Sequence, residues 1–156
     1  MPHLTYVSKR MPFVRRAGKG MEFQLLTKSK ARFALEVPSA GIVLHADWQE
    51  YNRQGDGQLS GYVTSDRTLR FQPLSSPGFA LTSATVPIGE LISHADSLTL
   101  KLEKGSQPER QMAFTSARQP GEFQLNGQTL APVVSGAEYR LTLPEYQAPA
   151  TLVVRW

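Results

Sequence analysis

The chain has 156 residues, of which 40% are hydrophobic and 19% charged, a balance that excludes a disordered polymer and suits one domain with its own core. It contains no cysteine, which removes disulfides, thiolate nucleophiles and thiolate metal sites together. The net charge of +4 is unevenly placed: residues 1–32 carry eight Lys and Arg against the single acid Glu22, while the rest carry nine basic and twelve acidic residues.

Taken in chain order, residues 1–20 come first, with Pro12, Gly18 and Gly20 scattered through "SKRMPFVRRAGKG" and no sustained period. They read as an extended basic arm outside the core, ahead of a domain at 21–156. From Phe23 onward the pattern is that of strands. The expected strands are 22–27, 31–37, 41–49, 58–65, 68–73 and 79–86, then 97–103, 110–116, 122–125, 128–134, 138–143 and 150–156. "DSLTLKLEK" sets Leu98, Leu100 and Leu102 on one face and Thr99, Lys101 and Glu103 on the other. "GIVLHADWQ" sets Ile42, Leu44, Ala46 and Trp48 against Val43, His45 and Asp47.

Turn chemistry separates these runs. Asn126-Gly127 is a hairpin signal because both central residues of such a turn need positive φ. "KGSQPE" and "SSPG" read as further turns. Only 86–95, with Pro87 at a first helical position and Ile88, Leu91 and Ile92 on one face, predicts a helix. No internal repeat is visible in the sequence. Many short strands at this spacing predict an all-β fold, an antiparallel β-sandwich of jelly-roll or Ig-like type carrying an extended N-terminal arm.

Residues 52–61, "NRQGDGQLSG", resemble a calcium loop, with Asn52, Gln54 and Asp56 at its first, third and fifth positions and Gly57 at its sixth. Val63 stands where the bidentate glutamate belongs, and strands are expected on both sides where such a loop needs helices. The segment reads as a turn.

No catalytic set is legible. His3, His45 and His94 form no metal-binding spacing, and no G-x-S-x-G elbow is present to set a nucleophile beside His45 and Asp47. Glu90, His94 and Asp96 read as a surface network, the other carboxylates are dispersed, and "AGKGMEF" lacks the spacing of a phosphate loop. The expectation is a protein that is not an enzyme, with no cofactor and no metal. No run approaches the roughly 18 apolar residues of a membrane span. Glu36 and Pro38 interrupt the stretch that most resembles an export signal.

The arm is the functional-looking segment. Its apolar Leu4, Tyr6, Val7, Phe13 and Val14 need a surface to cover, and Arg15 and Arg16 lie beside them. These seven residues are the expected subunit contacts. "PATLVVRW" at the other end alternates as a last strand and resembles the hydrophobic closing strand of chaperone–usher pilins, although the paired cysteines of that family are absent.

The expectation is therefore a self-assembling structural subunit partnered by copies of itself and by other subunits of a larger assembly. A virion component fits best: a capsid, decoration, or head–tail or tail protein, made in the cytoplasm. The alternatives are an extracytoplasmic pilus or adhesion subunit assembled by strand donation, and a nucleic-acid-binding β-domain using the basic arm.

Overall fold

The computed structural model describes residues 2–7, 11, 14–17, 20–52, 57–74 and 79–156, and among these it contains seventeen strands and no helix. The first eight are β1 (His3–Val7), β2 (Val14–Ala17), β3 (Gly20–Leu25), β4 (Ala31–Glu36), β5 (Gly41–Leu44), β6 (Trp48–Asn52), β7 (Gln58–Val63) and β8 (Arg67–Pro73). Then come β9 (Phe79–Ala84), β10 (Ile88–Ser93), β11 (Ser97–Leu102), β12 (Gln111–Ser116) and β13 (Glu122–Leu125). The last four are β14 (Gln128–Leu130), β15 (Val133–Ser135), β16 (Glu138–Thr142) and β17 (Ala150–Arg155).

Three antiparallel sheets result. An eight-stranded sheet runs β1-β4-β7-β6-β9-β12-β16-β15, a four-stranded sheet runs β2-β3-β8-β5, and a five-stranded sheet runs β10-β11-β17-β13-β14. Period-two alternation builds them, turning one face of each strand inward. Leu98, Leu100 and Leu102 of β11 face inward as expected, opposite Val154, Leu152 and Ala150 of β17, and all six are fully buried. Each large side chain so buried contributes about 1.5–3 kcal/mol.

Two cores form, giving a sandwich-like arrangement in each half of the chain. One holds Phe23, Phe33, Leu35, Leu59, Leu69 and Phe71 between the four-stranded sheet and the β1-β4-β7-β6 end of the large sheet. The other holds Leu81, Leu100, Phe114, Phe123, Leu141 and Leu152 between the five-stranded sheet and the β9-β12-β16-β15 end. Strand β5 divides them, giving Ile42 and Leu44 to the second core and Val43 to the first.

The halves repeat one topology. In the first, β1-β4-β7-β6 lies over β2-β3-β8-β5; in the second, β9-β12-β16-β15 lies over β10-β11-β17-β13. Every one of the six strand pairings of the first half recurs in order in the second, and among the described strands β14 alone has no counterpart. The sequence shows no repeat, and the structure corrects that reading. Loop lengths differ between the halves, and a strand pattern of alternating apolar groups constrains residue class, not identity.

Three local expectations also change. Residues 86–95 are not helical: β10 carries an irregularity between Ile88 and Glu90 in its pairing with β11. One extra residue in a strand returns position i+3 to the same face, so the Ile88–Leu91 spacing imitates a helical turn. The expected strand 41–49 breaks at His45, whose φ of 72° redirects the chain from the four-stranded sheet into the eight-stranded one. Trp48 consequently leaves the face of Ile42, and Asp47 is buried, accepting hydrogen bonds from Thr64 N at 2.8 Å and Thr64 Oγ1 at 3.1 Å. The expected strand 128–134 divides at Ala131-Pro132, where proline supplies no N–H to a ladder.

The Asn-Gly turn is as expected. Asn126 and Gly127 have φ of 49° and 83°, and Leu125 pairs with Gln128. Around 52–61, Asn52 of β6 pairs with Gln58 of β7, so two strands flank the segment; Gln54 and Asp56 lie outside the described residues.

Candidate functional site

The N-terminal residues expected to contact other subunits fall on two strands. Strand β1 pairs with β4, with Leu4 opposite Leu35, Tyr6 opposite Ala34 and Val7 opposite Phe33. Leu4 and Val7 pack against the first core of their own chain. Strand β2 pairs with β3, placing Val14 opposite Phe23, Arg15 opposite Glu22 and Arg16 opposite Met21. Arg15 bonds Glu22 Oε1 through both Nε and NH2, while Val14 is 47% exposed. Phe13 lies outside the described residues. Leu4, Tyr6 and Val7 thus lie along one end of the eight-stranded sheet, and Val14, Arg15 and Arg16 along the matching end of the four-stranded sheet.

The opposite end of the large sheet is β15. Among the described residues it pairs with β16 alone, Val133 opposite Arg140, Val134 opposite Tyr139 and Ser135 opposite Glu138. Val133 is 69% and Val134 56% exposed, and no charged side chain lies on the strand. An edge strand leaves a row of backbone N–H and C=O groups unpaired, and natural edges are usually guarded by charge or by covering structure. These valines close the expected strand 128–134, and alternation marks them as strand residues without showing which strands end a sheet.

A groove of about 560 Å³ lies on the outer face of the large sheet, lined by Arg32, Ala34, Trp48, Gln58, Ser60 and Tyr62 among others. Ala34 and Ser60, opposite each other in the β4–β7 ladder, are small and leave the space above its floor open. Trp48 stacks on Tyr62 with ring centroids 5.7 Å apart and planes 17° apart, and the Lys30 ammonium lies 4.2 Å from the Tyr62 centroid. Gln107 donates to the Tyr62 hydroxyl. Burial, followed by the Asp47 carboxylate, pushes the Tyr62 phenol above its ordinary value, and Arg32 opposes them. The expected strand 41–49 sets Trp48 on the face of Ile42, which hides its pairing with Tyr62 across β6 and β7.

The histidines stay apart. His45 Nδ1 lies 2.9 Å from Glu103 Oε1, His3 Nε2 lies 3.1 Å from Glu36 Oε2, and the His94 backbone N–H donates to Ser97 O. His45 and Asp47 do not form the pair their spacing allows, because the chain turns between them. Among the described residues no group of three His, Asp or Glu converges as a metal site would, and no helix is long and apolar enough to cross a membrane. Compared with protein-family models, with curated proteins and with solved structures, the chain matches none.

Proposed function

We propose that this chain is a non-enzymatic structural subunit that assembles with copies of itself, on a scaffold of jelly-roll or Ig-like β-sandwich type. The setting we favour is a virion, as a capsid, decoration, or head–tail or tail protein. The observation that carries the reading is the uncharged β15 edge, with Val133 and Val134 exposed at the end of an eight-stranded sheet. A soluble fold that keeps an apolar edge open needs a partner to cover it. The N-terminal strands β1 and β2 are part of the sheets at the other end, not a free arm, and in this reading they offer their edges for the contacts expected of 1–20. Sedimentation velocity over a wide concentration range tests the reading: mass should rise with concentration and survive raised salt, since the contact is backbone and apolar. A protein that stays monomeric throughout overturns it.

The groove supports a second reading, a nucleic-acid-binding domain. An aromatic stack beside Arg32 and Lys30 suits an unpaired base and its phosphate. Binding of a labelled single-stranded oligonucleotide that falls steeply with salt and is lost in Trp48→Ala would establish it; salt-insensitive or absent binding would remove it.

A further inference from the structure

The two halves meet inside the chain in a specific way. The β6 edge of the first half receives β9, the first strand of the second, with Gln49 opposite Ala84 and Glu50 opposite Ser83. In the other layer β5 abuts β10: His45 N, just past the end of β5, donates to Ile88 O at 2.9 Å, and from the neighbouring β8 Gln72 Nε2 donates to Leu91 O at 3.2 Å. The last strand of each first-half sheet therefore meets the first strand of the second-half sheet. This junction joins like units head to tail.

The topological repeat carries that junction to the ends of the molecule. Strand β15 is the counterpart of β6, and β1 is the counterpart of β9. Both are terminal in the eight-stranded sheet, with no further strand beside them among the described residues. We propose that a second copy of this chain docks its β1 against β15, continuing the large sheet across the copies as β9 continues it from β6. The inference rests on the self-assembly reading above and names its partner and contact.

The chemistry of the two edges agrees. The internal ladder between β6 and β9 is two residue pairs long, so the three residues of β15 suffice for a contact of the same kind. Val134 lies on the face of Tyr139, which packs against the second core. A neighbouring β1 would set its own core-facing Leu4 and Val7 on that same side, covering Val134. Strand β15 carries no charge, and β1 brings only His3, which pairs with Glu36 of its own chain, so no like charges meet. In the second layer β14 stands outside β13, presenting exposed Gln128 and Thr129 toward the incoming β2 with its exposed Val14. Because the two edges differ, the contact is heterologous and repeats until a ring closes or a filament grows.

The absence of cysteine makes the test clean. Full-length chains carrying Ser135→Cys alone and Thr5→Cys alone, both at exposed positions, are treated singly and mixed with a short bismaleimide linker. The mixture should give a cross-linked dimer that neither variant gives alone. In parallel, Val133→Lys with Val134→Lys should weaken self-association by roughly tenfold or more while keeping the thermal midpoint, since both side chains are exposed. Cross-linking of Ser135→Cys with itself as strong as in the mixture would show a symmetric β15 pair and overturn the proposal. Undiminished association of the double lysine variant would also overturn it, leaving self-assembly through another surface. A wild-type protein monomeric at every concentration overturns both readings together.

Discussion

Gln49 satisfies both backbone groups of Val43: its Oε1 accepts from Val43 N at 2.9 Å and its Nε2 donates to Val43 O at 2.9 Å. Strand β5 is the last of its sheet, so the amide stands where another strand would otherwise pair. In the second half β14 performs that task for β13. Gln49 is only 2% exposed, and so water does not replace it. Gln49→Leu should therefore lower unfolding free energy by about 1–3 kcal/mol for each backbone group left unpaired. Gln49→Glu should be no better at neutral pH, because it sets a carboxylate oxygen against the Val43 carbonyl. Urea denaturation decides this, and a loss below about 0.5 kcal/mol for Gln49→Leu would mean the pair contributes nothing special.

The two faces of β11 predict opposite outcomes for neighbouring substitutions. Leu100 is fully buried opposite Leu152, whereas the Lys101 ammonium donates to Thr151 Oγ1 at 3.0 Å on the other face. Leu100→Asp should unfold the protein or cost more than about 4 kcal/mol, since it places an unpaired charge in the core. Lys101→Asp should cost about 1 kcal/mol or less, mostly through the lost hydrogen bond. Circular dichroism melts of the two variants would contradict the face assignment if they were equally destabilised.

Two tyrosines should make stability fall at alkaline pH. Burial pushes the Tyr146 phenol above its ordinary value; Arg110 opposes and Glu103 reinforces the shift, and the hydroxyl donates to Glu103 O at 2.8 Å. Tyr62 is raised for the same first reason, with Asp47 adding to it. A phenol whose folded pKa is raised holds its proton more tightly in the folded state. Its contribution is thus complete below the unfolded value of about 10 and is lost as pH rises through the folded value. Unfolding free energy should decline above about pH 10, and less steeply in Tyr146→Phe than in wild type. Denaturation at several alkaline pH values, with tyrosinate absorbance alongside, reads both. An identical slope in the variant would remove Tyr146 as a cause.

How much of this was legible in the sequence depended on whether a strand kept its period. Strands such as β11, β13 and β17 alternate without interruption and coincide with expected strands, and the inward face of β11 is the expected one. Strands β1, β2 and β10 lie outside the expected strands; β1 and β10 each have a shift in pairing, between Leu4 and Tyr6 in one and between Ile88 and Glu90 in the other, while β2 is four residues long, too short to show a period. A shift restores i and i+3 to one face, so Leu4 and Val7 look aperiodic and Ile88 and Leu91 look helical. The turn at His45 was hidden for a different reason. Its positive φ is carried by a histidine, so no glycine marked the place where β5 ends and the chain changes sheets. The β15 edge and the Trp48–Tyr62 stack both depend on sheet order, which alternation does not encode.

Strand β5 offers the sharpest test of the two-core architecture, because adjacent residues serve different halves. Ile42 and Val43 are both fully buried, yet Ile42 belongs to the second core and Val43 to the first. Ile42→Ala should cost about 2–5 kcal/mol through the cavity it leaves. Val43→Ala should cost less, on the order of 1–2 kcal/mol, since only two methyl groups are lost. The location of the loosening matters more than its size. Hydrogen exchange in Ile42→Ala should accelerate first in β10, β11 and β12, around the second core, while Val43→Ala should accelerate β3, β4 and β8. If both variants loosened the same amides to the same degree, the cores would open as one cooperative unit, and β5 would not be the wall between them.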